Sequence, residues 1–90
     1  DYKTAVKWYR LAAEQGYASA QNNLGYMYGN GTGVIQDYVR AHMWFNIAAS
    51  SGDKDASENR DLAAKRMTSA DISTAQKLAR ECVRKKYKGC

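Results

Sequence analysis

Gly25-Tyr-Met-Tyr-Gly-Asn-Gly-Thr-Gly-Val-Ile-Gln-Asp-Tyr-Val-Arg-Ala-His-Met-Trp-Phe-Asn-Ile-Ala-Ala-Ser-Ser-Gly52 is the stretch on which the reading of the fold turns. It ends one helix, turns through glycines and runs a second helix that stops at Gly52. Its second half also occurs earlier in the chain. Setting Asp1–Gly16 against Asp37–Gly52, a shift of 36, matches Asp, Tyr, Ala, Trp, Ala, Ala and Gly identically, seven positions of sixteen. Tyr9 opposite Phe45 and Leu11 opposite Ile47 are conservative changes. A fixed period of about 20–50 residues marks a stacked repeat. Trp8 and Trp44 are therefore expected to hold equivalent slots in successive helical hairpins.

The local patterns read as helices throughout. From Asp1 to Glu14, Ala5, Trp8, Ala12 and Ala13 form one apolar stripe at helical spacing, and Gly16 stops the helix. The link Gln15–Tyr17 is short, so a second helix, Ala18–Tyr28, should pack antiparallel to the first. Gly29-Asn-Gly-Thr-Gly33 is expected to break that helix, because three glycines carry too much backbone entropy. No strand precedes it and no Gly-Lys-Ser/Thr follows, so it reads as a structural turn and not as a phosphate loop. Asp37 should cap the next helix, with Ala41, Trp44, Phe45, Ala48 and Ala49 on its inner stripe. His42, the only histidine, reads as a partly exposed helix residue. Ala56–Met67 departs from the repeat: Arg60, Asp61 and Ala64 stand where Leu24, Gly25 and Tyr28 stood. A solenoid's last unit must turn polar, which accounts for the change. Thr68 should cap a final helix running to about Lys86, with Ile72, Ala75, Ala79, Val83 and Cys82 on its buried side.

Composition narrows the class. No run approaches the roughly 18 apolar residues of a membrane span, and the absence of proline suits an all-helical chain. The net charge of +5 is concentrated late: residues 69–90 hold Lys77, Arg80, Arg84, Lys85, Lys86 and Lys88 against Asp71 and Glu81. Such a tail either faces solvent near a helix C-terminus or attracts a polyanion. One histidine, no metal-ligand cluster and no nucleophile motif argue against an enzyme, a cofactor or a small-molecule substrate. Because the chain opens at Asp1 inside a repeat, it reads as a C-terminal fragment of a longer array.

The pattern Ala20-Gln21-x-x-Leu24-Gly25-x-x-Tyr28-x-x-Gly31-x-Gly33-Val34-x-x-Asp37-x-x-x-Ala41-x-x-Trp44-x-x-x-Ala48-Ala49-x-x-Gly52 resembles the Sel-1-like repeat, a relative of the tetratricopeptide repeat. Arg60 to Arg80 resembles the closing helices of bacterial members. The resemblance implies an all-α solenoid of antiparallel helix pairs, a superhelix that holds partner proteins without catalysis of its own. It divides the chain into the second helix of a truncated repeat (1–16), a complete repeat (17–52), and a degenerate terminal repeat with a capping helix (53–90). It makes Ala20, Leu24, Gly25, Tyr28, Ala41, Trp44, Ala48 and Ala49 packing positions. The first helix of each repeat would line a concave face with Ser19, Asn22, Tyr26 and Asn30, and, one shift on, with Asp55, Glu58, Leu62 and Arg66. A tyrosine among asparagines suits peptide binding, since an aromatic anchor comes with amides that pair with a partner's backbone.

Two further expectations concern the ends. On one unbroken helix Cys82 and Cys90 would lie about 12 Å apart, beyond the ~7 Å a disulfide spans. A tail reversed near Gly89 would instead bring them together. Cysteine pairs at this interval occur in secreted members of the family, where they link the helices within a repeat. A disulfide would place the chain in an oxidising compartment, periplasmic or secreted; free thiols would suit the cytoplasm. At the other end, an exposed flank around Val6, Tyr9 and Leu11 should drive self-association of the truncated chain. The leading function is a protein-interaction scaffold binding a protein or peptide; the alternative is nucleic acid or another polyanion on the basic last helix.

Overall fold

The computed structural model describes residues 1–90 as five α-helices with no strand: α1 (Tyr2–Glu14), α2 (Ala18–Asn30), α3 (Tyr38–Ser50), α4 (Lys54–Ala64) and α5 (Ser69–Arg84). The fold is an all-α repeat solenoid. Its first and third helices begin by the same device. The Asp1 carboxylate accepts from the Thr4 N–H at 2.8 Å, and that of Asp37 accepts from the Arg40 N–H at 3.1 Å. Each satisfies a donor that the first helical turn leaves without an intrahelical partner. Asp53 does the same for α4, accepting from the Asp55 and Ala56 N–H groups, and Thr68 for α5, accepting from that of Asp71.

Helix α2 runs through Gly29 to Asn30, beyond Tyr28, where the glycines were expected to break it. The reason is tertiary. Gly29 lies beside Ala41 of α3, so packing offsets the entropy of one helical glycine. The break comes at Gly31, whose φ of 68° is left-handed and whose N–H caps the Met27 carbonyl. The Gln36 side chain then donates to the Gly29 carbonyl at 3.0 Å and to the Tyr38 hydroxyl at 3.1 Å, pinning the turn against both helices.

Helix α3 is the axis of the core, in contact with α2, α4 and α5. Ala41, Met43, Trp44, Ile47 and Ala48 are all buried on it, with Leu24 of α2 beside them in the core. Burying each large side chain of this set is worth about 1.5–3 kcal/mol. Where α2 crosses α3, Gly25 faces the Phe45 ring so closely that an added Cβ would stand 2.7 Å from a ring carbon. Only a residue without a side chain permits that approach.

Four sequence expectations change here. His42 is 3% exposed and not partly exposed, on the helix that α2, α4 and α5 all pack against. Val6 belongs to the core while Trp8 is 67% exposed; Ala13 is buried and Ala5 and Ala12 pack against the core as the stripe predicts, so the indole alone departs from it, for want of a covering helix. Val6 is held by the glycine turn, since a Cβ at Gly33 would strike both the Tyr2 carbonyl and the Val6 side chain. On α5 the buried seam is Ala75, Ala79 and Cys82, and Val83 is half-exposed. Finally, α4 starts at Lys54 and ends at Ala64, set by its Asp53 cap.

Beyond α5 the chain hooks back. Lys86 and Tyr87 both have positive φ, 56° and 68°, conformations that bulky residues adopt only when held. Here several contacts hold them. The Tyr87 N–H donates to the Cys82 carbonyl at 2.9 Å, and the Tyr87 ring lies against Gly16. Lys88 Nζ donates to the Glu14 carbonyl at 3.1 Å, and Arg40 donates to the Cys90 carbonyl at 2.8 Å. The reversal brings the Cα atoms of Cys82 and Cys90 within 5.7 Å, and a disulfide joins them. The hook therefore ties α5 to the end of α1 and the start of α3.

Candidate functional site

Buried side chains on α2, α3 and α4 close the core and leave a shallow groove of about 180 Å³ between α2 and α4. Helical spacing builds it. Met27 and Tyr28 turn inward, so Tyr26 turns outward and is 58% exposed; Ala63 turns inward, so Leu62 is 59% exposed. These two large apolar residues stand at the same repeat position, 36 apart, and line the same groove. Phe45 and Ala63, both buried, lie beneath them. Tyr38, its hydroxyl held by Gln36, adds a second aromatic wall. Asn30, Asn59 and Arg66 supply the polar edge.

Of the residues read from the sequence, Tyr26, Asn30 and Leu62 come together in this groove, with Arg66 beside them. Asn22 is placed differently: its side-chain Oδ1 accepts from Nδ2 of Asn59 at 3.1 Å, a bridge that fixes α2 against α4. Ser19, Asp55 and Glu58 are exposed but do not line the groove. Asn59, Tyr38 and Phe45 were missed as groove residues. The 36-residue shift aligns Asn22 with Glu58, whereas packing of α4 on α2 presents Asn59 to it, one residue further along. Tyr38 could have been found from the Gln36 side chain, which is spaced to reach it.

Arg60, at the position of buried Leu24, reaches from α4 to α3: its Nη1 donates to the Asn46 side-chain Oδ1 at 3.3 Å, and its Nε pairs with Asp61 at 3.3 Å. The guanidinium thereby keeps a foothold in solvent while replacing a core contact. His42 lies within its field. Burial, then the Arg60 charge, hold the imidazole below its ordinary value of 6.5, against a smaller opposing effect of Asp61.

A second groove, of about 440 Å³, runs between α3 and α5. It has Ile47 and Ala79 in its base and Arg80 and Arg84 along its edge. No three His, Cys, Asp or Glu side chains converge as metal ligands, and no helix is long and apolar enough to cross a membrane.

Comparison with known proteins gives a consistent picture. The model of the Sel1 repeat matches residues 1–17 and 18–53, more than half of the chain. The chitin synthase regulator SKT5 of Malassezia restricta is 42% identical over 53 residues, 59% of this chain and 4% of that protein. Protein sel-1 homolog 2 of Rattus norvegicus is 44% identical over 52 residues, 57% of this chain and 8% of that protein. Among solved structures, the crystal structure of c5321, a protective antigen present in uropathogenic Escherichia coli strains displaying an SLR fold, superposes with a TM-score of 0.89 at 34% identity. That match covers 97% of this chain and 20% of the antigen's chain, so the chain spans a small part of each relative.

Proposed function

The chain belongs to the Sel1 repeat family, and from that premise we propose that it is a protein-interaction module which takes an extended peptide segment of a partner between α2 and α4, without catalysis of its own. The observation that carries this reading is the pair Tyr26 and Leu62. Two large side chains left more than half exposed at equivalent repeat positions, over a buried Phe45, form an anchor site of the kind that dominates interface energies. Asn30 and Asn59 at its edge offer amide donors and acceptors to a backbone. In this reading 17–52 is a complete repeat, 1–16 the end of the one before it and 53–90 the closing unit.

Selection of peptides from a random displayed library on the folded chain tests it. Enriched peptides should shift the amide resonances of Tyr26, Leu62 and Arg66. They should also lose at least tenfold in affinity when Tyr26 and Leu62 are both changed to Ala, the order expected for removing a hot-spot anchor. Peptides that bind the double variant as well as the parent would refute the groove as the site.

The α3–α5 groove supports a second reading. Arg80 and Arg84 stand one helical turn apart along it, neither in an ion pair, so an anion would relieve their mutual repulsion. A polyanion bound there would dissociate steeply with added salt, and Arg80→Ala with Arg84→Ala would flatten that slope. Salt-independent retention on heparin would exclude it.

A further inference from the structure

We infer that the segment taken by the α2–α4 groove carries a basic residue, an apolar residue and an acidic residue at alternate positions of an extended strand. The inference rests on the peptide-binding reading above and adds the partner's charge order to it.

Glu58 and Leu62 stand one above the other on one face of α4, and Arg66, a further four residues on, follows in the turn after Ala64. All three are exposed, and Asp55, one turn earlier, extends the stripe. The structure contains only two ion pairs, Arg40 with Asp37 and Arg60 with Asp61. Glu58, Asp55 and Arg66 therefore present unpaired charges, basic at Arg66 in the groove's lining and acidic at Glu58 and Asp55, outside that lining on the far side of Leu62. The facing stripe of α2 is neutral, with Asn22, Tyr26 and Asn30 at the corresponding shift. All the charge that a partner meets along this line comes from α4.

The helix dipole does not account for the arrangement. Acids in a first turn and cations in a last turn stabilise a helix from any face. Glu58 lies in the second turn and Arg66 beyond the last helical residue, Ala64. Both are aligned with Leu62, and Arg66 lines the groove itself.

Spacing then sets the ligand. Glu58 stands about 6 Å before Leu62 along the α4 axis, and Arg66 follows Leu62 by four residues through Ala64 and the right-handed Lys65, so the two charges lie on the order of 12 Å apart with Leu62 between them. An extended peptide advances roughly 3.3 Å per residue and shows every second side chain to one side. Residues i and i+4 thus reach the two charges, and residue i+2 falls between Tyr26 and Leu62. A segment such as Lys-Ala-Leu-Ala-Glu, or the same order reversed, meets all three points with complementary chemistry. A segment bearing like charges at both ends meets repulsion at one of them.

The test uses the full chain and four synthetic peptides, Lys-Ala-Leu-Ala-Glu, Glu-Ala-Leu-Ala-Lys, Lys-Ala-Leu-Ala-Lys and Glu-Ala-Leu-Ala-Glu, each with glycine flanks and blocked ends. Affinity is read from amide chemical shifts, which detect weak binding. A mixed-charge peptide should bind roughly threefold to tenfold more tightly than either like-charged one, the scale of exposed ion pairs. The preference should fade at high salt. Arg66→Glu should switch the preference to the doubly basic peptide, Glu58→Lys to the doubly acidic one, and Arg66→Lys should leave it unchanged. These positions are exposed, so circular dichroism should show each variant folded. Binding without charge preference that still requires Tyr26 and Leu62 would overturn this inference and leave the groove reading intact. No binding by any peptide, or binding indifferent to Tyr26 and Leu62, would overturn both.

Discussion

Helices α1 and α3 are two copies of one segment with different fates. Both are 13 residues long, both are capped by an aspartate, and both end at a glycine of positive φ, 91° at Gly16 and 101° at Gly52. Yet Trp44 is wholly buried and Trp8 is 67% exposed. The difference lies in their neighbours. Helix α3 packs against α2, α4 and α5, whereas α1 has its main contact with α2 alone. Local sequence makes the helix and its ends; what a given indole contributes depends on how many helices stand around it.

The sharpest way to break this comparison is to truncate the two indoles. Trp44→Ala should cost about 3–5 kcal/mol, a large share of what holds a domain this small together. Trp8→Ala should stay within about 0.5 kcal/mol. Urea denaturation followed by circular dichroism reads both, and equal losses would mean that the copies are packed alike. Removing the hook should come next. Cys90→Ser opens a short covalent loop at a cost of about 2–3 kcal/mol. Tyr87 and Lys88 rest on the end of α1, so hydrogen exchange should rise more in α1 than in α3. Uniform acceleration would show that the hook steadies the whole molecule instead.

Gly25→Ala tests how closely α2, the partner that α1 and α3 share, must approach α3. A methyl group against the Phe45 ring should destabilise by about 1–3 kcal/mol, despite alanine's better helix propensity. A gain in stability would show that α2 can stand off from α3 without loss. The smallest effect concerns the pair Val6 and His42, the same repeat position filled differently. A buried imidazole whose folded value lies below 6.5 resists protonation, while the unfolded chain takes the proton freely. Stability is therefore full above about pH 6.5 and declines as the pH falls from there toward the lower folded value. His42→Val should flatten the fall in melting temperature on acidification. An unchanged slope would assign it to other groups.

The groove divides in the same way. Tyr26 and Leu62 were legible as a pair because the repeat period relates them and helical spacing turns both outward. Asn59 was not, because the register between α2 and α4 is set by packing and departs by one residue from the sequence shift. His42 and Val6 were misplaced for a related reason: a stripe of alanines marks where helices can approach, but not which neighbour arrives.

The sequence by itself determined the helices, the caps Asp37 and Thr68 and the glycine stops of α1 and α3, which follow from interactions within a few residues of chain, together with the 36-residue period that relates two such stretches. Only the tertiary structure decided which copy of the tryptophan is buried, which asparagine bridges α2 to α4, and that the tail turns back to join Cys90 to Cys82. Burial and bridging depend on surfaces contributed by distant segments, and no local pattern records where those surfaces come to rest.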